Sequence, residues 1–249
     1  MTRRAPDAIG GAFVLPTERV VIWGQGRYYP GVEMQDTQLL IHEIYASIQG
    51  ESSYAGRPCV FVRLTGCNLR CTYCDTEYAF YGGEKRTVAS IVAEVIGYGI
   101  PLVLITGGEP LLQKGCVSLA KQLLDAGLTV MIETSGERPI GVLPDEVIRI
   151  MDIKCPSSGQ AEKMNWENIA DLKRSDEVKF VIGDRADYDW SCGVIRTHGL
   201  TGRCTVLIST VFGTIDPKVV AQWMIDDKLD ARFQLQMHKY IWDPGTRGV

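Results

Sequence analysis

The chain alternates between short apolar runs and segments with helical periodicity, and no other feature limits its fold as strongly. Continuous apolar strands separated by helices are typical of a parallel sheet covered by helices. The pattern predicts an α/β fold of about six βα units, either doubly wound or curled into a barrel. The predicted strands span 59–66, 101–108, 128–136, 147–154, 176–184 and 204–210, and the predicted helices span 87–99, 116–127, 165–174, 185–198 and 216–228.

The first 38 residues have a different character. Gly, Pro and Arg punctuate them, and only 19–23 has the apolar pattern of a short strand. We expect an N-terminal extension of unknown function over 1–38, followed by a single domain over 39–249.

Composition and charge exclude several classes of protein. A formal net charge of -4 and a pI near 5.5 provide no basic surface for nucleic acid. No run approaches the roughly 18 apolar residues of a membrane helix, and the N-terminus lacks the apolar segment of a signal peptide. We expect a cytoplasmic protein that acts on small molecules, without nucleic-acid or membrane partners.

Three of the eight cysteines lie within eight residues, directly after the first predicted strand. Cys67, Cys71 and Cys74 have C-x3-C-x2-C spacing, which suits a loop around a compact metal centre. Structural zinc and most iron–sulfur clusters require four ligands, so three thiolates would leave one iron free for a substrate or cofactor. Two alternatives stay open, namely three packed cysteines or a zinc site completed by Cys59, Cys116 or Cys155.

Polar turns follow the next three predicted strands. They read "TGGEP" (106–110), "ETSG" (133–136) and "DIKCP" (152–156). The carboxyl ends of parallel strands share one edge of a sheet, and ligands bind at that edge. We therefore expect these turns and the cysteine loop to form one site.

The cysteine loop, with Tyr73 before its last cysteine, and "GGEP" about 30 residues later resemble the radical S-adenosylmethionine superfamily. The resemblance implies a partial, open TIM-type barrel and a 4Fe-4S cluster held by the three cysteines. The free iron would bind S-adenosylmethionine. One electron, from an external donor such as flavodoxin or ferredoxin, would then cleave it to methionine and a 5'-deoxyadenosyl radical.

A narrower resemblance extends from about residue 41 to the end. "EIYASIQGE", "FVRLTGCNLRCTYCDT", "VLITGGEP", "IETSG" and "QMHKYIWDPGTRGV" resemble the 7-carboxy-7-deazaguanine synthase family. It implies a homodimeric, Mg²⁺-dependent lyase of queuosine and 7-deazapurine biosynthesis. Such an enzyme contracts the ring of 6-carboxy-5,6,7,8-tetrahydropterin to 7-carboxy-7-deazaguanine and releases ammonia.

The resemblance also implies roles for individual residues. Arg63 would bind the substrate carboxylate, and Thr76 would bind Mg²⁺. The residues implied for S-adenosylmethionine are Tyr73, Cys74, Asp75, Gly108, Glu109, Ser135, Asp152 and Lys154. The other residues implied for the substrate are Ile48, Gln49, Gly50, Glu51, Thr106, His238 and Val249.

The chain departs from the family's pattern at three places. Ser52 follows Glu51 where the family generally has Gly, and Asp152-Ile153-Lys154 replaces Ser-Pro-Lys. The Gln-Pro pair that the family often has in the segment "LISTV" (207–211) is missing. Two other functions stay open, namely an activase that makes a glycyl radical on a partner protein and a plain iron–sulfur electron carrier. We expect the five lone cysteines to be packed in the interior.

Overall fold

The computed structural model describes residues 37–249, which belong to one compact unit. The strand predicted at 19–23 lies outside the described residues, and the division at residue 38 stays a prediction. Among residues 37–249 no helix is long and apolar enough to cross a membrane.

The described chain contains nine strands and six α-helices, joined by loops and short 3-10 turns. The strands are β1 (Gln38–Ile48), β2 (Pro58–Leu64), β3 (Glu84–Thr87), β4 (Leu102–Gly107), β5 (Thr129–Thr134), β6 (Ile148–Asp152), β7 (Glu177–Ile182), β8 (Thr205–Thr210) and β9 (Arg232–Phe233). The helices are α1 (Val88–Gly97), α2 (Gly115–Asp125), α3 (Asn168–Asp171), α4 (Arg185–His198), α5 (Pro217–Asp226) and α6 (His238–Ile241).

All nine strands form one open sheet in the order β3-β1-β2-β4-β5-β6-β7-β8-β9. The seven strands from β2 to β9 in this order run parallel, whereas β1 is antiparallel to both of its neighbours. The predicted α/β fold, with its open and mostly parallel sheet, is therefore confirmed.

The two faces of the sheet have different neighbours because side chains alternate along each strand. On β2, Val60, Val62 and Leu64 pack in an apolar cluster with residues of α1 and α2. Phe61 and Arg63, which alternate with them, line a cavity on the other face. One face is thus covered by helices and the other is open to a ligand.

The predicted helix over 165–174 is the main difference from the sequence analysis, since α3 has only four residues. The Asn168 side chain accepts a hydrogen bond from the Ile140 backbone N–H and donates to the carbonyls of Gly136 and Arg138. Such bonds to backbone compete with helix propagation. They also tie the loop after β5 to the loop after β6.

Candidate active site

A cavity of about 750 Å³ lies beyond the carboxyl ends of the parallel strands. Its walls come from the loop after β1, the cysteine loop, the turns after the parallel strands and the C-terminal segment. The predicted site residues that line it are Ile48, Gln49, Gly50, Glu51, Arg63, Cys67, Cys71, Tyr73, Cys74, Asp75, Thr76, Thr106, Gly108, Ser135, Asp152, Lys154, His238 and Val249.

Cys67, Cys71 and Cys74 present three thiols to this cavity. Burial raises the pKa of each thiol, and the nearby Lys154 ammonium acts in the opposite direction. Within residues 37–249, no three His, Cys, Asp or Glu side chains converge as they would around a single ion. The arrangement offers separate thiols to a larger group.

The remaining five cysteines are buried in the apolar clusters of the core, as the sequence analysis expects. None of them lines the cavity, so the structure provides no support for a fourth cysteine that would complete a zinc site. They are Cys59, Cys116, Cys155, Cys192 and Cys204.

The turn after β4 packs directly against the cysteine loop. A Cβ atom on Gly108 would lie 2.3 Å from the Gly66 carbonyl oxygen and 2.6 Å from Cys67 Cβ. The Glu109 backbone N–H donates to the Gly66 carbonyl at 2.8 Å. Only glycine allows this approach at position 108, so the turn fixes the position of the first cysteine.

Glu109 is the one predicted site residue that does not line the cavity. It is fully buried, and its carboxylate accepts hydrogen bonds from the Thr134 hydroxyl and from the backbone N–H and hydroxyl of Ser135. It also accepts from the Leu111 N–H at 2.9 Å. These bonds join the turns after β4 and β5, so the observed role of this carboxylate is to brace the turns.

Within the cavity, one buried lysine meets three carboxylates. Lys179 Nζ donates to Glu51 Oε2 at 3.0 Å and to Glu133 Oε1, and lies 3.6 Å from Asp152 Oδ2. Burial would lower the pKa of Lys179, but the carboxylates, Glu133 first, hold that pKa well above its usual value. Burial would likewise raise the pKa of Glu51, yet Lys179 keeps it below the usual value. Both groups are therefore charged at neutral pH.

The turn after β6 carries a second ion pair, since Lys154 Nζ donates to Asp152 Oδ2 at 2.8 Å. Burial opposes the charge on Lys154, but Asp152 outweighs it and raises the pKa of this ammonium. Asp152 thus contacts two lysines. It links the cysteine side of the cavity to the Lys179 group.

Arg63 lies on the cavity face of β2, in register with Thr106 of β4. Its Nε donates to Glu43 Oε1 at 2.7 Å, and its Nη2 donates to the Tyr45 hydroxyl at 3.1 Å. The Tyr78 hydroxyl donates to the same Glu43 oxygen at 3.1 Å. The guanidinium is therefore already paired with Glu43 and Tyr45 through Nε and Nη2. Its other N–H groups are not used in these two bonds.

The loop after β1 packs against the C-terminal segment. The Met237 N–H donates to the Gly50 carbonyl at 2.9 Å, and a Cβ on Gly50 would lie 2.4 Å from His238 Nδ1. Burial lowers the pKa of His238, so its imidazole is neutral at pH 7. Glycine at position 50 therefore brings the histidine onto the loop that carries Glu51.

Ser52 takes the left-handed backbone conformation, with φ of 68°. Non-glycine residues rarely adopt it, which explains why glycine suits this position. Hydrogen bonds hold the residue there: its N–H donates to Gln234 Oε1 at 2.7 Å, and its hydroxyl accepts from the Tyr54 N–H at 3.1 Å. These bonds fix the conformation of the loop at Ser52.

Asp75 and Thr76 follow the last cysteine of the loop. The Thr76 hydroxyl donates to Asp75 Oδ1 at 2.9 Å, and Lys239 Nζ donates to Asp75 Oδ2 at 2.9 Å. Burial would raise the pKa of Asp75, but Lys239 and the other donors hold it well below its usual value. The segment thus offers the cavity a neutral hydroxyl beside an ionised carboxylate.

Residues 61–153 match the model of the radical SAM superfamily. The 7-carboxy-7-deazaguanine synthase of Koribacter versatilis (strain Ellin345) is 49% identical over 225 residues, which cover 84% of this chain and 99% of that protein. The chain belongs to the 7-carboxy-7-deazaguanine synthase family. The synthase of Chlorobaculum tepidum is 44% identical over 217 residues, covering 86% of this chain and 99% of its own.

A solved structure, that of QueE from Escherichia coli, shares the fold with a TM-score of 0.68. The likeness covers 81% of this chain and 95% of that one at 20% identity. Membership of the 7-carboxy-7-deazaguanine synthase family makes this chain a radical SAM enzyme of the lyase type acting on a small molecule. The family's cofactors are a 4Fe-4S cluster and S-adenosylmethionine. The activase and electron-carrier interpretations are therefore set aside.

The sequence analysis of this synthase-family chain assigned no individual role to several charged residues of the cavity. Glu133 and Lys179 each interrupt an apolar strand, as Arg63 does, and that interruption is a signal the sequence contains. Lys239 and Arg247 lie in the C-terminal segment, where no strand or helix pattern indicates which way a side chain points. Only the fold places them in the cavity.

Proposed function

We propose that the enzyme converts 6-carboxy-5,6,7,8-tetrahydropterin into 7-carboxy-7-deazaguanine with release of ammonia, in queuosine or 7-deazapurine biosynthesis. One observation carries this proposal: the three-thiol loop and the group around Glu51, Arg63 and His238 line the same cavity. Radical chemistry requires cofactor and substrate to be held side by side.

The cysteine side of the cavity suits the cofactors. Cys67, Cys71 and Cys74 would hold the 4Fe-4S cluster, and the donor set of three thiols agrees with a cluster that keeps one iron free. Cluster and S-adenosylmethionine, when bound, supply one-electron radical chemistry. The residues that would hold S-adenosylmethionine are Tyr73, Cys74, Asp75, Gly108, Ser135, Asp152 and Lys154, with Glu109 bracing the turn from behind.

A second group of residues in the same cavity suits a carboxylated pterin. Ionised Glu51 accepts N–H bonds, as a 2-amino-pyrimidinone edge requires, and Lys179 keeps it ionised. Arg63 would direct its remaining N–H donors to the ligand. The other proposed contacts are Ile48, Gln49, Gly50, Thr106, neutral His238 and Val249.

Magnesium would bind at Thr76. One neutral hydroxyl is a weak ligand for a hard dication, and Mg²⁺ commonly combines one or two protein ligands with substrate oxygens. The donor set agrees with such a site, since the Thr76 hydroxyl lies beside the Asp75 carboxylate. The ion and the substrate carboxylate would then bind cooperatively.

The remaining parts of the proposal concern the enzyme's partners and place. An external donor such as flavodoxin or ferredoxin would supply the electron, and two chains would form a homodimer. The location would be the cytoplasm, where a reduced donor of this kind is found.

Anaerobic reconstitution with iron and sulfide, followed by turnover with carboxytetrahydropterin, tests the proposed function. We expect the deazaguanine product, ammonia and 5'-deoxyadenosine. Arg63→Ala and Glu51→Gln should slow product formation more than they slow 5'-deoxyadenosine formation, because both residues face the substrate. Equal loss of both products in these variants would contradict that assignment. If the wild-type enzyme formed no deazaguanine product, the proposed function would be refuted.

A further inference from the structure

Five basic side chains line the cavity, and four of them are paired with carboxylates. The pairs are Arg63 with Glu43, Lys154 with Asp152, Lys179 with Glu51 and Glu133, and Lys239 with Asp75. Within each pair the charges largely cancel. These four residues therefore provide little net positive charge for an additional anion.

Arg247 is the fifth basic residue, and it forms no ion pair with any of residues 37–249. Its guanidinium is exposed to the cavity, so its N–H donors are accessible to a ligand. Among the five basic side chains of the cavity, Arg247 is thus the one without a carboxylate partner in residues 37–249.

The position of Arg247 is defined by an aromatic ring. Its guanidinium carbon lies 4.2 Å from the centre of the Tyr78 ring, and the guanidinium carbon of Arg63 lies 5.8 Å from the same centre. Stacking on a ring restrains a guanidinium and leaves its in-plane N–H donors free. Arg247 and Arg63 therefore flank one tyrosine at the substrate side of the cavity.

We infer that Arg247 determines specificity by binding the carboxylate of the substrate. The inference rests on the proposed function, which supplies a carboxylated pterin. Arg63 shares its charge with Glu43, whereas Arg247 brings a full charge and a planar pair of donors that match a carboxylate. A pterin without the carboxylate cannot pair with the Arg247 guanidinium, so this residue adds nothing to its binding affinity.

Calorimetric titration of the cluster-loaded enzyme under anaerobic conditions tests this inference. Carboxytetrahydropterin and tetrahydropterin, which lacks the carboxylate, are compared in the wild type, Arg247→Ala and Arg247→Lys. Removing a charge-assisted hydrogen bond should weaken binding of the carboxylated ligand by about 10- to 100-fold. Binding of tetrahydropterin should change by less than about twofold. Arg247→Lys should lie between wild type and Arg247→Ala, because it keeps the charge but loses the planar fork.

Arg196→Ala is the matched control, since it removes the same charge from an exposed position on α4 outside the cavity. It should leave both affinities unchanged. Equal weakening of both ligands by Arg247→Ala, or no weakening of either, would overturn the inference. Failure of the wild type to bind and convert carboxytetrahydropterin would instead overturn the proposed function, so the two failures are distinguishable.

Discussion

Replacing Lys179 with methionine removes the cation that holds three carboxylates together under the cavity. The lysine side chain is only 7% exposed, while those of Glu51 and Glu133 are 21% and 27% exposed. Breaking one side of a buried ion pair typically costs about 3–5 kcal/mol. Asp152 keeps Lys154 as a partner, and the glutamates retain some contact with water. We therefore expect Lys179→Met to lower the free energy of unfolding at pH 7 by about 3 kcal/mol, the lower end of that range.

The pH dependence gives this prediction a second test. In the wild type the pKa of Glu51 lies below its ordinary value of 4.5, so its stabilising contribution is complete above pH 4.5 and is lost as the pH falls. Without Lys179, burial raises the pKa instead, and protonation then relieves the unpaired charge. The difference in free energy of unfolding between the wild type and Lys179→Met should consequently become smaller as the pH is lowered from 7 to 5.

Urea unfolding followed by circular dichroism at both pH values measures the effect. Lys121→Met is the control, because Lys121 pairs with Asp125 on the surface of α2 with 67% of its side chain exposed. An exposed pair contributes about 0–1 kcal/mol. The reasoning is refuted if Lys179→Met is no less stable than Lys121→Met, or if its deficit is the same at pH 7 and pH 5.

The other predictions concern the two loops of the cavity. Cys71→Ala should abolish the brown chromophore and 5'-deoxyadenosine formation, whereas the buried control Cys192→Ala should keep both; a brown, active Cys71→Ala protein would exclude this thiol as a ligand. Thr76→Ala should reduce the dependence of substrate affinity on magnesium while the iron content stays constant, and an unchanged dependence would place the ion elsewhere. Gly108→Ala should lower iron loading, because its Cβ would lie 2.3 Å from a backbone oxygen, and full loading would contradict that packing. Ser52→Gly should have a free energy of unfolding in urea about 1–2 kcal/mol higher than that of Ser52→Ala, because both variants lose the hydroxyl and only alanine keeps the strain of the left-handed conformation. Equal free energies of unfolding would count against that strain.

The sequence predicts the parallel strands because their apolar runs are continuous and their helices are periodic. It does not predict β1 over Gln38–Ile48, whose half-buried residues depend on pairing with the distant β2 and β3. It also overestimates α3, since the bonds of Asn168 to other loops cannot be read locally. Periodicity reports burial within one segment, and these elements are decided by contacts between segments.

The candidate site shows the same division. The cysteine loop, the glycine turn and Arg63 are recognisable because unusual residues follow or interrupt apolar strands. The ion pairs of Lys179 cannot be recognised in the sequence, because the residues that form them lie on β5, β6, β7 and the loop after β1 and meet only in the folded sheet. The position of Glu109 is similar, since its hydrogen bonds to the turn after β5 draw it away from the cavity. Such partners lie far apart in the chain.

The contact between Gly108 and the cysteine loop has a consequence for protein engineering. Because the Gly66 carbonyl and Cys67 Cβ occupy the space that a side chain at position 108 would need, the cysteine loop and the glycine turn are one unit. A cluster-binding loop transplanted alone into another parallel sheet would meet a side chain at this point and lose its shape. Grafting experiments should therefore transfer two adjacent strands with both of their turns, and residues 58–110 are the smallest segment of this chain that contains them.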